Sequence, residues 1–546
     1  MKIETAWVAS PSASGGLDHL GAQAPCILIY GQLLPGITNV TDRARYYSFY
    51  PWLIWSLDHR FAGADELAFV EWFRRADCLF TLIAEHHARL RNENSDRHGA
   101  AMVGRQKLVA AVQRLVSGEV LTLADFTDTE SSLCYFKNRF GGLSQYYAGT
   151  LIELGMLDGT KKPWYRYSRE AGKPMAAALE VLVPADAFWT VVERGQVTAA
   201  DLQALHAFCP CHLRQSESEE RQRLIDIFFD RNGSYEDDGT QRKRSLALIQ
   251  RLINSMPQEM EFSEFVFRGA VYGQSLPSGE TWQLPAGLEA TRKNWAVYVR
   301  NDLMAVAMQA IFGLALRKLS PQTACEHRQF DTVETFARAF SRSAEVEQFV
   351  AATGRETFGD WLSVLQAGLS SPAAWLADDH ELPLVKRIVD EWESCDDTTM
   401  LQLSMRLLAI LIIRDHDGLP YEGLAIGPQV YEDYPINLAS FRHQAKLWRA
   451  LSLDTVVENL VGWCMNTHLR IALRKLHRTG KATFRFRPTE RGLQPAEEGV
   501  PAPSQTTPRF QQAYQILMDV GAVSRDDRGA AMLTAEGKKL MEAIHD

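Results

Sequence analysis

The segment from Gly287 to Leu319, GLEATRKNWAVYVRNDLMAVAMQAIFGLALRKL, constrains the fold most. Apolar residues recur in it at three- and four-residue steps, and its second half, LMAVAMQAIFGLAL (303–316), is apolar on every side. A helix with no polar face has to be wrapped by other apolar helices. This apolar stretch, broken only by Gln309, is 14 residues long, short of the roughly 20 needed to cross a bilayer. DELAFVEWFRRADCLFTLIAEHHARL (65–90), TTMLQLSMRLLAILIIRD (398–415) and TVVENLVGWCMNTHLRIALRKL (455–476) carry the same periodicity. Strand signals are short and few. A mainly α, multidomain chain built of helical bundles follows.

At 546 residues the length suggests three or four domains, and the apolar share of 46% can bury a large core without disulfides or metals. The net charge of −9 excludes a protein that coats polyanions over its whole surface, so any nucleic-acid contact must use local basic patches. Eight irregularly spaced cysteines suit reduced thiols, and the first residues, MKIETAWVASPSASGG, lack an apolar signal core. A soluble cytoplasmic protein with no membrane association is expected. The stretch LQPAEEGVPAPSQTTP (493–508) has four prolines and no helical pattern, and reads as a linker. The expected domains are 1–180, 181–492 and 509–546.

Residues 41–55, TDRARYYSFYPWLIW, hold six aromatics: Tyr46, Tyr47, Phe49, Tyr50, Trp52 and Trp55. Thr41 or Asp42 is the expected N-cap, and Pro51 should kink the helix or start a second one capped by Ser48. Apolar residues fill nearly all faces, which favours a buried helix over a base-stacking surface.

Two distant segments share a layout. YYAGTLIELGMLDGTKKPWYRYSREAGKPMAAAL (146–179) and AYQILMDVGAVSRDDRGAAMLTAEGKKLMEAI (513–544) each start with an apolar helix ending at a glycine, Gly155 or Gly521. Thirteen residues later a hydroxyl, Ser168 or Thr534, can cap a new helix that holds a second glycine, Gly172 or Gly537. This layout resembles the second half of a winged helix, so 146–179 and 509–546 are expected to be two small winged-helix-like modules. That resemblance implies either DNA binding or protein contacts. The first wing, TKKPWYRYSR, interleaves Lys161, Lys162, Arg166 and Arg169 with Trp164, Tyr165 and Tyr167; residues 137–173 hold seven Lys/Arg against three acids. A basic excess attracts phosphates and aromatics stack, so Lys161, Lys162, Trp164 and Arg166 are candidate nucleic-acid ligands. The second module has five Lys/Arg against six acids and is the weaker candidate.

LRIALRKLHRTGKATFRFRPTER (469–491) is the most basic run, with eight Lys/Arg and one acid, Glu490. Leu469, Ala472, Leu473 and Leu476 form an expected core stripe beside the basic stripe Arg470, Arg474, His477 and Arg478. After Gly480 the pattern turns to period two, with Ala482, Phe484 and Phe486 facing one way and Thr483, Arg485 and Arg487 the other. Arg470, Arg474, Lys475, Arg478, Lys481, Arg485 and Arg487 are the expected contacts to a phosphate backbone, duplex DNA above all.

Catalytic signatures are weak. There is no GxxxxGK[ST] and no HExxH. HAFCPCH (206–212) gathers His206, Cys209, Cys211 and His212, but its tight spacing around Pro210 makes four-ligand chelation by this segment awkward; it can be half a metal site with a distant partner. RDHDG (414–418) has the His–Asp of metal phosphohydrolases, but the further histidines and aspartate that such a site needs are not identifiable, EHH (85–87) being the only candidate. Glu536-x-Lys538 is the tail of a nuclease-like motif with no strand before it. No catalytic residue, cofactor or metal is therefore assigned. Finally, LPGITNVTDRARYYSFYPWLIW (34–55) resembles the N-terminal part of large uncharacterised bacterial proteins encoded near phage-defence genes. This implies a sensor or adaptor subunit that works with a separate ATPase or nuclease. A non-enzymatic nucleic-acid-binding scaffold is the expectation, with a metal-dependent nuclease and a purely protein–protein assembly subunit as alternatives.

Overall fold

A computed structural model describes residues 18–63, 65–91, 101–159, 164–215, 217–257, 260–319, 330–415, 418–497, 499–526 and 528–544. The chain is 61% helical and 5% strand, so the mainly α expectation holds. Among the described residues, strand is confined to four two-stranded antiparallel ladders.

The helices form two compact units, each discontinuous in sequence. The first takes Met1–Gln32, Phe265–Leu284 and Arg292–Thr507; the second takes Leu33–Glu264, Pro285–Thr291 and Pro508–Asp546. This grouping differs from the sequential blocks read from the sequence, because contacts between chain ends override local composition. Asn301 donates to the Ala22 carbonyl at 3.1 Å and so fixes the N-terminal stretch inside the first unit. Arg43 pairs with Asp519 at 3.0 Å, which fixes the C-terminal module inside the second.

In the first unit the apolar segment is a single helix, part of Ala286–Leu319, with Leu303 to Met308 fully buried. This helix is long and apolar enough to cross a membrane, but 89% of its most apolar window is buried in the protein. The Pro-rich stretch is not a solvated linker. Gly492–Pro495 pairs with Phe486–Thr489 as a hairpin, and the Leu493 N–H donates to the Phe330 carbonyl at 2.8 Å. Further on, Asp302 accepts from the Thr506 N–H (2.8 Å) and hydroxyl (2.7 Å), and Gln309 bonds both backbone groups of Ser504. Asp302 and Gln309 lie two turns apart on one helix face. That polar stripe in an apolar helix satisfies the backbone that the prolines leave without a regular structure.

In the second unit the aromatic helix runs unbroken over Arg45–Arg60 with Pro51 inside it, and twelve of its residues are buried. Its start is not capped by Thr41 or Asp42. Asp519, 475 residues away, accepts from the Ala44 N–H at 3.0 Å while holding the Arg43 guanidinium. Arg45 pairs with Glu220 at 2.8 Å. Both arginines are buried, so this stretch is core and no stacking surface.

The repeated layout is also present in the second unit. Its copies are Ala148–Glu153, Leu157–Asp158, Arg166–Tyr167, Gly172–Glu180 and Phe510–Asp519, Val523–Arg525, Ala531–Leu533, Ala535–Glu542. Each first helix ends in a left-handed glycine, Gly155 (φ 66°) or Gly521 (φ 71°), a conformation that suits a residue without Cβ. Leu157 opposes Tyr167, and Val523 opposes Leu533, the same offset in each hairpin. Ser168 and Thr534 cap the last helix, accepting from Gly172 and Gly537 at 2.9 and 3.0 Å. A Cβ on either of those glycines would lie 2.2 or 1.9 Å from the carbonyl oxygen of Met156 or Ala522.

Candidate functional site

The basic run is carried by the helix Leu453–Thr479, which ends at Gly480 in the left-handed conformation. Ile471 and Ala472 face the core, as does His468 one turn earlier, whereas Leu473 is 56% exposed, so the core stripe lies one residue off the expected one. The reason is the stretch Asp18–Gly21, which packs there: Gly21 comes so close to Ile471 that a Cβ would sit 2.8 Å from its Cδ1.

Four of the eight basic side chains are engaged within the first unit. Arg470 donates to the Glu432 carbonyl at 2.6 Å. Arg474 bonds the Asp433 carbonyl, approaches its carboxylate at 3.3 Å and lies over the Tyr434 ring. Lys475 donates to the Asp18 carbonyl at 2.5 Å, and burial lowers its pKa against the pull of the Asp18 carboxylate. Arg485 turns inward: its guanidinium faces His19 Nε2 at 3.3 Å, and its N–H donates to His468 Nε2 at 2.8 Å. His468 Nδ1 in turn donates to the His19 carbonyl at 3.0 Å, which fixes a neutral imidazole. Burial pushes His468 down to about 4; burial and the adjacent Arg485 push His19 to about 3.

The period-two strand expected over 481–487 is absent. Ala482 and Thr483 are both buried in succession, and the strand begins only at Phe486. Arg478, Lys481 and Arg487 remain exposed, and among the described residues their side chains make no ion pair or hydrogen bond; Arg487 lies 5.9 Å over the Phe484 ring. Arg491, at the hairpin turn, is exposed too and was not singled out by the stripe argument.

In the first wing, Lys161 and Lys162 lie outside the described residues. Trp164 stacks on Phe69 at 4.3 Å, and Arg166 bonds both oxygens of Asp58 at 3.1 and 2.9 Å while lying over Trp164. The wing aromatic is thus used for packing and its arginine for an ion pair, within the second unit. In the other motif, His416 and Asp417 also lie outside the described residues, and Asp415 is held by Arg300 and Arg442.

A second cluster joins two motifs that the sequence left apart. The helix Glu66–Arg91 brings buried His86 and His87 to the segment 206–212. There, successive turns (Cys209 N–H to the His206 carbonyl, His212 N–H to the Cys209 carbonyl) curl the chain around Pro210. The ligand atoms of His87, Cys209 and Cys211 all lie within 4.8 Å of one another, with Cys211 Sγ 3.3 Å from His87 Nδ1. The His206 and His212 rings lie 4.4 and 5.4 Å from that of His87, and His206 Nε2 meets His86 Nδ1 at 3.0 Å. Burial acts to raise the Cys209 thiol, but the Cys211 thiol and N–H, with Arg43 and Arg45 nearby, hold it below its usual value.

Comparison with protein-family models, with curated proteins and with solved structures finds no match.

Proposed function

We propose that this protein is a non-enzymatic helical scaffold that binds nucleic acid, duplex DNA in the first place, through the end of the Leu453–Thr479 helix and the hairpin that follows. The observation that carries the reading is the exposed group Arg478, Lys481 and Arg487, with no carboxylate partner among the described residues, in a chain of net charge −9. Charges with an internal partner contribute little to a phosphate contact; those held in water beside a rigid helix end can neutralise phosphates and release counterions. The role as an adaptor beside an ATPase or nuclease rests on the resemblance of residues 34–55, and catalysis is assigned to that partner.

The test is fluorescence anisotropy of the full chain with labelled duplex DNA over a salt series. Roughly three phosphate contacts give a log–log slope of about −2.7. Replacing Arg478, Lys481 and Arg487 together with alanine should flatten the slope towards zero at unchanged circular dichroism. Salt-independent affinity, or a folded triple variant that binds as before, would assign this face to a protein partner and overturn the reading.

A further inference from the structure

The cluster on the Glu66–Arg91 helix has a chemistry that the nucleic-acid reading does not use. We propose that His87, Cys209 and Cys211 hold a structural zinc ion, closed by the imidazole of His206 or His212, that staples this helix to the 206–212 turn.

The donor set comes first. Two thiols and an imidazole are the borderline-soft ligands that select zinc over magnesium or calcium, which take oxygen. The geometry is next. Bonds of about 2.3 Å to sulfur and about 2.0 Å to nitrogen set tetrahedral edges of roughly 3.5–3.8 Å. The 3.3 Å contact between Cys211 Sγ and His87 Nδ1 is close to such an edge, and the mutual 4.8 Å limit leaves the third corner a short movement away. Burial is the third argument. His87, Cys209 and Cys211 are 4%, 0% and 2% exposed, and both cysteines carry thiols rather than a disulfide. Zinc replaces the two thiol protons, which leave to solvent; nothing is oxidised or reduced. His86 takes the outer position: its contact to His206 Nε2 is the kind that orients a ligating imidazole.

The local sequence accounts for the assembly. Pro210 cannot extend a helix, so the chain turns between the cysteines and presents both sulfurs to one side. HAFCPCH alone cannot close a tetrahedron, and the Glu66–Arg91 helix supplies the missing corner from 124 residues away.

The experiment uses the full chain expressed in zinc-supplemented medium and purified under reducing conditions. Elemental analysis should give about one zinc per chain. Titration with a mercurial should release that zinc in step with two thiols. Cobalt exchanged into the site should show the visible bands of a tetrahedral thiolate complex. Cys209→Ser, Cys211→Ser and His87→Ala should each lose the metal. Of His206→Ala and His212→Ala, one should lose it and the other keep it. Where a variant does not fold, the mercurial and cobalt readouts on the unaltered chain still decide. Zinc well below stoichiometric, cobalt without thiolate bands, or a Cys209–Cys211 disulfide under reducing conditions would overturn the proposal.

Discussion

Two regions of this protein bury histidines, and they do so in opposite ways. At the basic helix end, both ring nitrogens of His468 are taken by backbone, the His19 carbonyl and the Arg485 N–H. At the cysteine–histidine cluster, ring nitrogens face other side chains: His87 a thiol, His86 a second imidazole. A ring held by backbone on both sides is locked in one tautomer and has no nitrogen left for chemistry. Nitrogens and sulfurs of several side chains converging on one point are instead placed as a cation would need them. Burial alone therefore does not separate a structural histidine from a ligand; what separates them is the identity of the two ring partners.

The largest expected effect comes from metal removal. A strong chelator under reducing conditions should lower the first thermal transition by the equivalent of several kcal/mol and raise hydrogen exchange at 83–87 and 206–213. An unmoved transition would erase the contrast between the regions. Next, His468→Ala should destabilise by about 2–4 kcal/mol, because it opens a cavity and leaves the His19 carbonyl and Arg485 N–H without their partner. Zinc content should not change; if it falls, the two regions are not independent.

The acid response sharpens the same contrast. The folded pKa of His468 is about 4, below the usual 6.5, so the unfolded chain takes up the proton first. The stability due to its neutral form is complete above pH 6.5 and is lost as pH falls from 6.5 towards 4, on the order of 3 kcal/mol in all. His19 acts in the same direction, with a folded value of about 3. Denaturant midpoints measured from pH 7.5 to 4 should drop, and less so in a folded His468→Gln variant. A flat profile would mean that these rings are not held neutral. The smallest effect separates two arginines at the start of one strand, one before it and one within it. Arg485→Ala should cost about 1–2 kcal/mol by removing an inward hydrogen-bonded group, whereas Arg487→Ala should leave stability as it is and act only on DNA affinity.

How much of this was legible in sequence depends on the reach of each interaction. The aromatic helix and the repeated helix–hairpin–helix are local patterns, and both were readable down to Gly155, Gly521, Ser168 and Thr534. The fate of the basic run was not. Its partners, Asp18, His19 and the end of the Pro428–Asp433 helix, lie tens to hundreds of residues away, and a charge count along 469–491 cannot see them. The Pro-rich stretch was misread for the same reason, since Asp302 and Gln309 satisfy its backbone from a distant helix face. Both halves of the metal cluster stood in plain view as EHH and HAFCPCH. Nothing in one dimension says that they meet; only the packing of the Glu66–Arg91 helix joins them.

The discontinuity of the two units has a consequence for synthesis. The chain is made from one end, but neither unit can close from one end. Arg43 leaves the ribosome 476 residues before Asp519, the acid that neutralises it and caps its helix. At roughly 5–20 residues per second the wait is on the order of a minute. Asn301 likewise reaches back 279 residues to Ala22. Through that interval the nascent protein lacks the carboxylate that caps its aromatic helix, a species that invites chaperone capture. The second unit needs Pro508–Asp546, so a chain truncated before Pro508 should leave that unit unfinished and be degraded rather than persist as a smaller folded protein.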